Sequence, residues 1–299
     1  LSIAKPGRQV KYGVYFVGTK ELKIIASARP ILDTVVLGKV TSYSYPARDD
    51  LTIHAYLTTP PGAEEKNLPL VVLPHGGPES RDSANFDWMA QMLTAQGYAV
   101  FQPNFRGSDG YGWDFTAAGW GEWGKAMQHD ITDGVKDLIA KGVVDPDRIC
   151  IAGASYGGYA ALAGGAYTPQ LYKCVIAIAG VSDLQSMYKW TKGEYGSNHW
   201  AVKYWDRSMS GDEERKTAMQ AASPSRFADH FQAPVLLIHG KDDTVVNPSQ
   251  SKRMKTALKK AGKDVRLIEQ KNGDHWLSFE ETRLETSREM IAFLDEHLK

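Results

Sequence analysis

No apolar run in the chain approaches the roughly 18–20 residues that a membrane-crossing helix needs. Cysteine is scarce, with only Cys150 and Cys174. Two cysteines build neither a disulfide framework nor a zinc site. Both lie in apolar, strand-like runs, so the expectation is a pair of buried thiols, with a slight tilt toward a reducing, cytoplasmic compartment. An excess of either charge is also missing: 35 basic residues balance 35 acidic ones. No basic stripe stands out, which argues against nucleic acid as a partner. Internal repeats and low-complexity tracts are absent, so neither a solenoid nor a disordered spacer is expected. The chain opens on Leu1 without a leader-like segment, which reads as a mature or truncated form.

What is present suits one large α/β domain with a small appendage: 299 residues, 42% of them hydrophobic. Residues 1–37 stand apart. Val14–Gly18 and Leu22–Ala26 read as two short strands around a turn, with no strand–helix alternation. From Gly38 the character changes. Val40–Tyr45 and Leu51–Leu57 read as an antiparallel pair. Leu68–Leu73 is a continuous apolar run of the kind buried on both faces. Strand then follows helix about five times, the last strands being Cys174–Ala179, Val235–His239 and Val265–Glu269. Residues 183–226 hold no clear strand and read as helical cover rich in aromatics. The alternation predicts a mostly parallel sheet with helices on both faces and an antiparallel edge. Sites in such sheets gather at the carboxyl ends of the strands.

One such end carries Gly153-Ala154-Ser155-Tyr156-Gly157, between the apolar run Ile149–Ala152 and a helix of small residues. A turn this tight admits few side chains beside the serine, and it lifts Ser155 Oγ clear of the sheet. The N–H of Tyr156, at the positive end of the new helix, would face a negative oxygen forming there. In a chain with 28 glycines the string decides nothing alone. A serine hydroxyl needs a base and a group to orient that base. Of eight histidines, His275 sits in the polar loop Lys271–Trp276, between the last strand and the last helix. His75 and His239 end strands but precede glycine, which makes their backbone matter more than their rings. The orienting acid should follow another strand end, where Asp242 and Asp243 are both candidates. Ser…Asp…His is the chain order of α/β-hydrolases. Two loops could complete the site. Pro74-His75-Gly76-Gly77-Pro78 could aim a backbone N–H. Arg106, in Pro103–Gly112, could clamp a carbonyl or carboxylate, or pair with a structural acid.

Together these strings resemble the catalytic domain of the prolyl oligopeptidase family of serine peptidases, in its acylaminoacyl-peptidase and dipeptidyl-peptidase-like branches. The matching pieces are His75-Gly76-Gly77-Pro78, Asn104–Ser108 with Gly110-Tyr111-Gly112, Gly153–Tyr159, His239-Gly240-x-x-Asp243-x-x-Val246 and Gly273-Asp274-His275. The resemblance implies an α/β-hydrolase fold over residues 38–299, and an N-terminal extension, 1–37, left from a β-propeller. It implies Ser155 as nucleophile, His275 as base and Asp243, not Asp242, as orienter. Tyr156 and either Gly76 or Gly77 would donate to the oxyanion. Relatives with a tyrosine in place of His75 use its hydroxyl, which this chain lacks. The segment after Ala179-Gly180 suggests Val181, Tyr188 and Trp190 as substrate contacts, beside His75 and Arg106.

The expected activity is hydrolysis of short or N-blocked peptides through an acyl-enzyme, requiring neither a metal nor an organic cofactor. A carboxylesterase using the same residues without a propeller gate is the alternative, and a non-catalytic binding module on this fold a more distant one. The expected partner is a small peptide or ester. The oligomeric state, a homo-oligomer among the alternatives, stays open, because a lost propeller would expose apolar surface.

Overall fold

The computed structural model describes residues 1–209 and 212–299. Its centre is an eight-stranded sheet laid down as the alternation predicts. In chain order the strands are β4 (Lys39–Pro46), β5 (Thr52–Thr59), β6 (Leu68–Val72), β7 (Ala99–Asn104), β8 (Val144–Ala154), β9 (Cys174–Ile178), β10 (Val235–Gly240) and β11 (Val265–Gln270). Across the sheet they run β11-β10-β9-β8-β6-β7-β5-β4. From β7 to β11 every pairing is parallel, while β5 pairs antiparallel with both β7 and β4. The early strands are thus the antiparallel flank of the same sheet. This is the α/β-hydrolase fold.

The central strands are apolar on both faces because helices cover both. Leu70, Val72, Ile149 and Ile151 face one core, with Met127, Ile131 and Val135 of α3 (Ala126–Ala140), the whole of α4 (Tyr156–Tyr167), and Met254 and Leu258 of α8 (Ser249–Lys260). Val71, Cys150, Ala152 and Ile176 face the other, against Leu93 of α1 (Trp88–Ala95) and Met290, Phe293 and Leu294 of α9 (Glu280–Leu298). Each fully buried aliphatic or aromatic side chain stabilises the fold by roughly 1.5–3 kcal/mol. Cys150 and Cys174 are fully buried, as their apolar runs imply. They are not free thiols, however. They stand opposite each other on neighbouring strands and are joined by a disulfide. The spacing in sequence hides this, because the pairing comes from strand register.

The aromatic cover between β9 and β10 is mostly helical and holds no strand among its described residues: α5 (Leu184–Tyr195), α6 (Trp200–Ser208), α7 (Asp212–Ala221) and a 3-10 segment, Pro224–His230. Ser210 and Gly211, part of that expected cover, lie outside the described residues. The segment 113–123 opens with one short helix, α2 (Trp113–Ala117). Residues 1–37 form a second sheet, with β1 (Ser2–Ile3), β2 (Lys11–Phe16) and β3 (Glu21–Ser27) in order. It touches the main body through Gly7, whose N–H donates to the Ala84 carbonyl, and it exposes Val14, Phe16, Leu22 and Ile24. Among the described residues no helix is long and apolar enough to cross a membrane.

Candidate active site

Ser155 sits between β8 and α4 with φ +59° and ψ −121°. A residue with a Cβ holds that conformation at a cost of about 1–3 kcal/mol, and only if its surroundings insist. Here they do. A Cβ on Gly153 would run into the backbone of Gly157, and one on Gly157 into the Pro74 carbonyl. Helix and strand therefore approach to a distance that side chains beside the serine would forbid. The Tyr156 side chain, 2% exposed, anchors the first turn of α4 against Phe105, Trp123 and Tyr159. Ser155 Oγ makes no hydrogen bond to any described residue. The hydroxyl is left free at the head of the helix.

The loop after β10 brings Asp243 against the loop after β11. Lys241 N–H donates to the Gln270 carbonyl and Asp242 N–H to that of Gly273, tying the two loops together. Asp243 Oδ2 then lies 2.7 Å from His275 Nδ1. Asp243 Oδ1 accepts from the N–H groups of Val245 and Val246, each at 2.8 Å. Burial alone would raise the Asp243 pKa. The hydrogen bonds from His239, His275 and Val246 outweigh it and hold the carboxyl well below the usual carboxylate range. A carboxylate can only accept, so His275 carries its proton on Nδ1, and Nε2 of the neutral ring is the free acceptor. Asp242 is exposed. The turn holding His275 is closed by Asp274, whose Oδ1 accepts from Trp276 and Ser278 N–H. The His239 ring matters more than its place before glycine suggests. It stands between Ser251 Oγ (2.7 Å) and the Val246 carbonyl (2.9 Å), 3.3 Å from Asp243 Oδ2.

Beside Ser155 opens a cavity of about 650 Å³. Gly77, Tyr156, Val181 and Trp190 line it, as the sequence suggests. The aromatic walls include Tyr195, Trp200, Tyr204 and Trp205, which lie in the 183–226 stretch that reads only as cover, and Trp123, outside it. Their signal was the density of tryptophan and tyrosine in stretches without a strand. Glu79, also missed, lines the cavity too. Its carboxylate accepts from Arg207 Nη2 (2.8 Å) and Trp120 Nε1 (3.0 Å), which links the 75–79 loop to α6.

Three expected substrate contacts lie elsewhere. Arg106 is 8% exposed and is consumed by two acids. Its Nε and Nη2 donate to Asp130 of α3, and its Nη1 and Nη2 to Asp49 in the turn after β4. Tyr188 is not among the cavity-lining residues. Its hydroxyl bonds Asp206 at 3.0 Å, and the Arg215 guanidinium lies 4.8 Å over its ring. His75 is buried beneath its loop, stacked 4.4 Å from Phe105. Its Nδ1 is 2.7 Å from the Gly76 carbonyl, which can only accept, so Nδ1–H donates; Nε2 is 2.9 Å from Ser108 Oγ. The Gly76 C=O and the Gly77 N–H are opposite ends of one rigid trans peptide plane. The buried ring thus fixes the direction of the Gly77 N–H, at a residue whose φ of +123° suits glycine.

A family model described as prolyl oligopeptidase family matches residues 84–299. Dipeptidyl peptidase family member 6 of Caenorhabditis elegans is 33% identical over 93% of the chain and 40% of its own length. Dipeptidyl aminopeptidase BIII of Pseudoxanthomonas mexicana is 36% identical over 78% of the chain and 34% of its own. A solved puromycin-hydrolyzing peptidase of Mycobacterium tuberculosis superposes with a TM-score of 0.88 at 25% identity, over 99% of this chain and 45% of that one. The chain spans less than half the length of these relatives.

Proposed function

The chain belongs to the prolyl oligopeptidase family, and from that premise we propose that it is the hydrolase portion of a serine peptidase acting on short or N-blocked peptides. Residues 1–37 would then be the end of an upstream β-propeller, and 38–299 the catalytic domain. The observation that carries the reading is the buried Asp243–His275 hydrogen bond, formed at the same sheet edge as the strained Ser155 turn.

Ser155 Oγ attacks the scissile carbonyl while His275 Nε2 takes its proton. Asp243 holds the ring through Nδ1 and stabilises the imidazolium. The N–H groups of Tyr156 and Gly77 receive the tetrahedral oxyanion. His275 returns the proton to the leaving amine, and water repeats the cycle on the acyl-enzyme. The missing Ser155–His275 hydrogen bond is no obstacle, since such bonds commonly tighten only when substrate is bound. The apolar walls Val181, Trp190 and Trp205 suit a large apolar side chain on the acyl side.

A fluorophosphonate probe is expected to label Ser155. Ser155→Ala should abolish turnover of a peptide anilide, by about 10⁴-fold or more, while leaving the fold intact. Retained hydrolysis in Ser155→Ala would place the nucleophile elsewhere. Turnover of p-nitrophenyl esters without turnover of anilides would make the protein an esterase.

A further inference from the structure

We propose that Trp276 forms the subsite for the leaving side of the scissile bond, and that the chain favours leaving amines bearing a large aromatic group. The inference rests on the assignment of Ser155 and His275 above and adds to it a selectivity for the half of the substrate released first.

Trp276 follows His275 directly. Its ring stands edge-on to the imidazole, with centroids 5.1 Å apart and planes at 89°. It is 74% exposed, although it lines the same cavity as Ser155. The deeper walls differ: Trp123, Trp205 and Val181 are only 4–6% exposed. The acyl side chain therefore has a closed, prebuilt place, whereas Trp276 offers an open face at the histidine. Chemistry decides which half of the substrate meets that face. The leaving nitrogen must take its proton from His275 Nε2, so it lies within hydrogen-bond reach of that ring. The first side chain beyond the bond is then only a few ångströms from any group packed on His275. An indole held there by the Asp274 turn presents a wide apolar face that water covers poorly, and an incoming aromatic ring would cover it by stacking.

By microscopic reversibility, a site that releases an amine also captures one. The acyl-enzyme can be formed from N-acetyl-phenylalanine p-nitrophenyl ester and offered tryptophanamide or glycinamide in competition with water. The amine nitrogen attacks the acyl carbon, the bond from that carbon to Ser155 Oγ breaks, and the amine proton passes through His275 Nε2 to Ser155 Oγ. The products are the free acid and the dipeptide amide, separated by chromatography. The capture ratio is read within whatever acyl-enzyme forms, so slower acylation in a variant does not blur it.

In the unmodified 299-residue chain, tryptophanamide should capture the acyl group at least about tenfold better than glycinamide. Trp276→Ala should erase most of that preference, and Trp276→Phe should restore the larger part. Equal capture of the two amines by the unmodified chain, or an undiminished preference in Trp276→Ala, would overturn the proposal. Failure of the fluorophosphonate to label Ser155 would remove the underlying assignment as well, a result separate from an acyl-enzyme that forms but shows no aromatic preference.

Discussion

At the scale of single residues, two ionisable side chains, the buried His75 and the half-buried Asp82, make opposite demands on pH. Burial lowers the His75 pKa to about 4, against the opposing bond to Gly76. The unfolded chain then takes up the proton first as pH falls from the ordinary histidine range toward 4. Stability should drop by roughly 3 kcal/mol across that window, and chemical denaturation at several pH values checks it. His75→Asn should flatten the dependence. It keeps a donor near Nδ1, so it should also preserve kcat better than His75→Ala, for which about a tenfold loss is expected from a loosened Gly77 N–H. Asp82 is the mirror case. Burial first, then the nearby Asp87 charge, push its pKa to about 8 against a bond from Gln102, and its Oδ2 is buried without a partner. A raised carboxyl pKa contributes stability at low pH that is lost as pH climbs from about 4 to 8. Asp82→Asn should therefore stabilise the protein at pH 8 by about 2 kcal/mol, or roughly 3 °C in Tm. The gain should vanish near pH 4 in thermal melts.

At the scale of elements, the pairing of Glu79 with Arg207 hangs one wall of the cavity on the loop that carries Gly77. Arg207 lies 4.9 Å over Trp120 as well, so an ion pair and a cation–π contact act together there. Arg207→Ala should raise KM for anilides with bulky acyl side chains by about three- to tenfold and change KM for acetyl esters little. Steady-state kinetics on the two substrates tests this.

The same scale explains what was legible in advance. Strand and helix order could be read because apolar runs of about five residues alternate with amphipathic stretches closed by glycine, as Gly97 and Gly142 show. Ser155 and His275 were legible because both interrupt that alternation at strand ends. Choosing Asp243 over Asp242 needed the family resemblance, since spacing alone favours neither. Arg106 misled because a loop arginine at a strand end looks the same whether it meets substrate or Asp130. The cavity walls were hidden because α5 and α6 turn toward Ser155 through tertiary packing, which helical periodicity does not encode. The Cys150–Cys174 bond was hidden for the same reason.

At the scale of the whole molecule, the two sheets differ in what holds them. The central strands of the eight-stranded sheet are buried on both faces, whereas β2 and β3 leave Tyr12, Val14, Phe16 and Ile24 between 41% and 47% exposed. Amide hydrogen exchange in β2 and β3 should run about a hundredfold or more faster than in β6, β8 and β9. Equal protection would show that the small sheet is as firmly held as the large one.

The position of Arg106 has a further consequence. One guanidinium draws in a carboxylate from the turn behind the flanking hairpin and another from a helix packed on the parallel strands. Peeling that hairpin away would take one of the two carboxylates with it and leave a desolvated cation with Asp130 alone. The two regions, laid down by unlike modes of strand pairing, are thereby yoked into one cooperative melting unit.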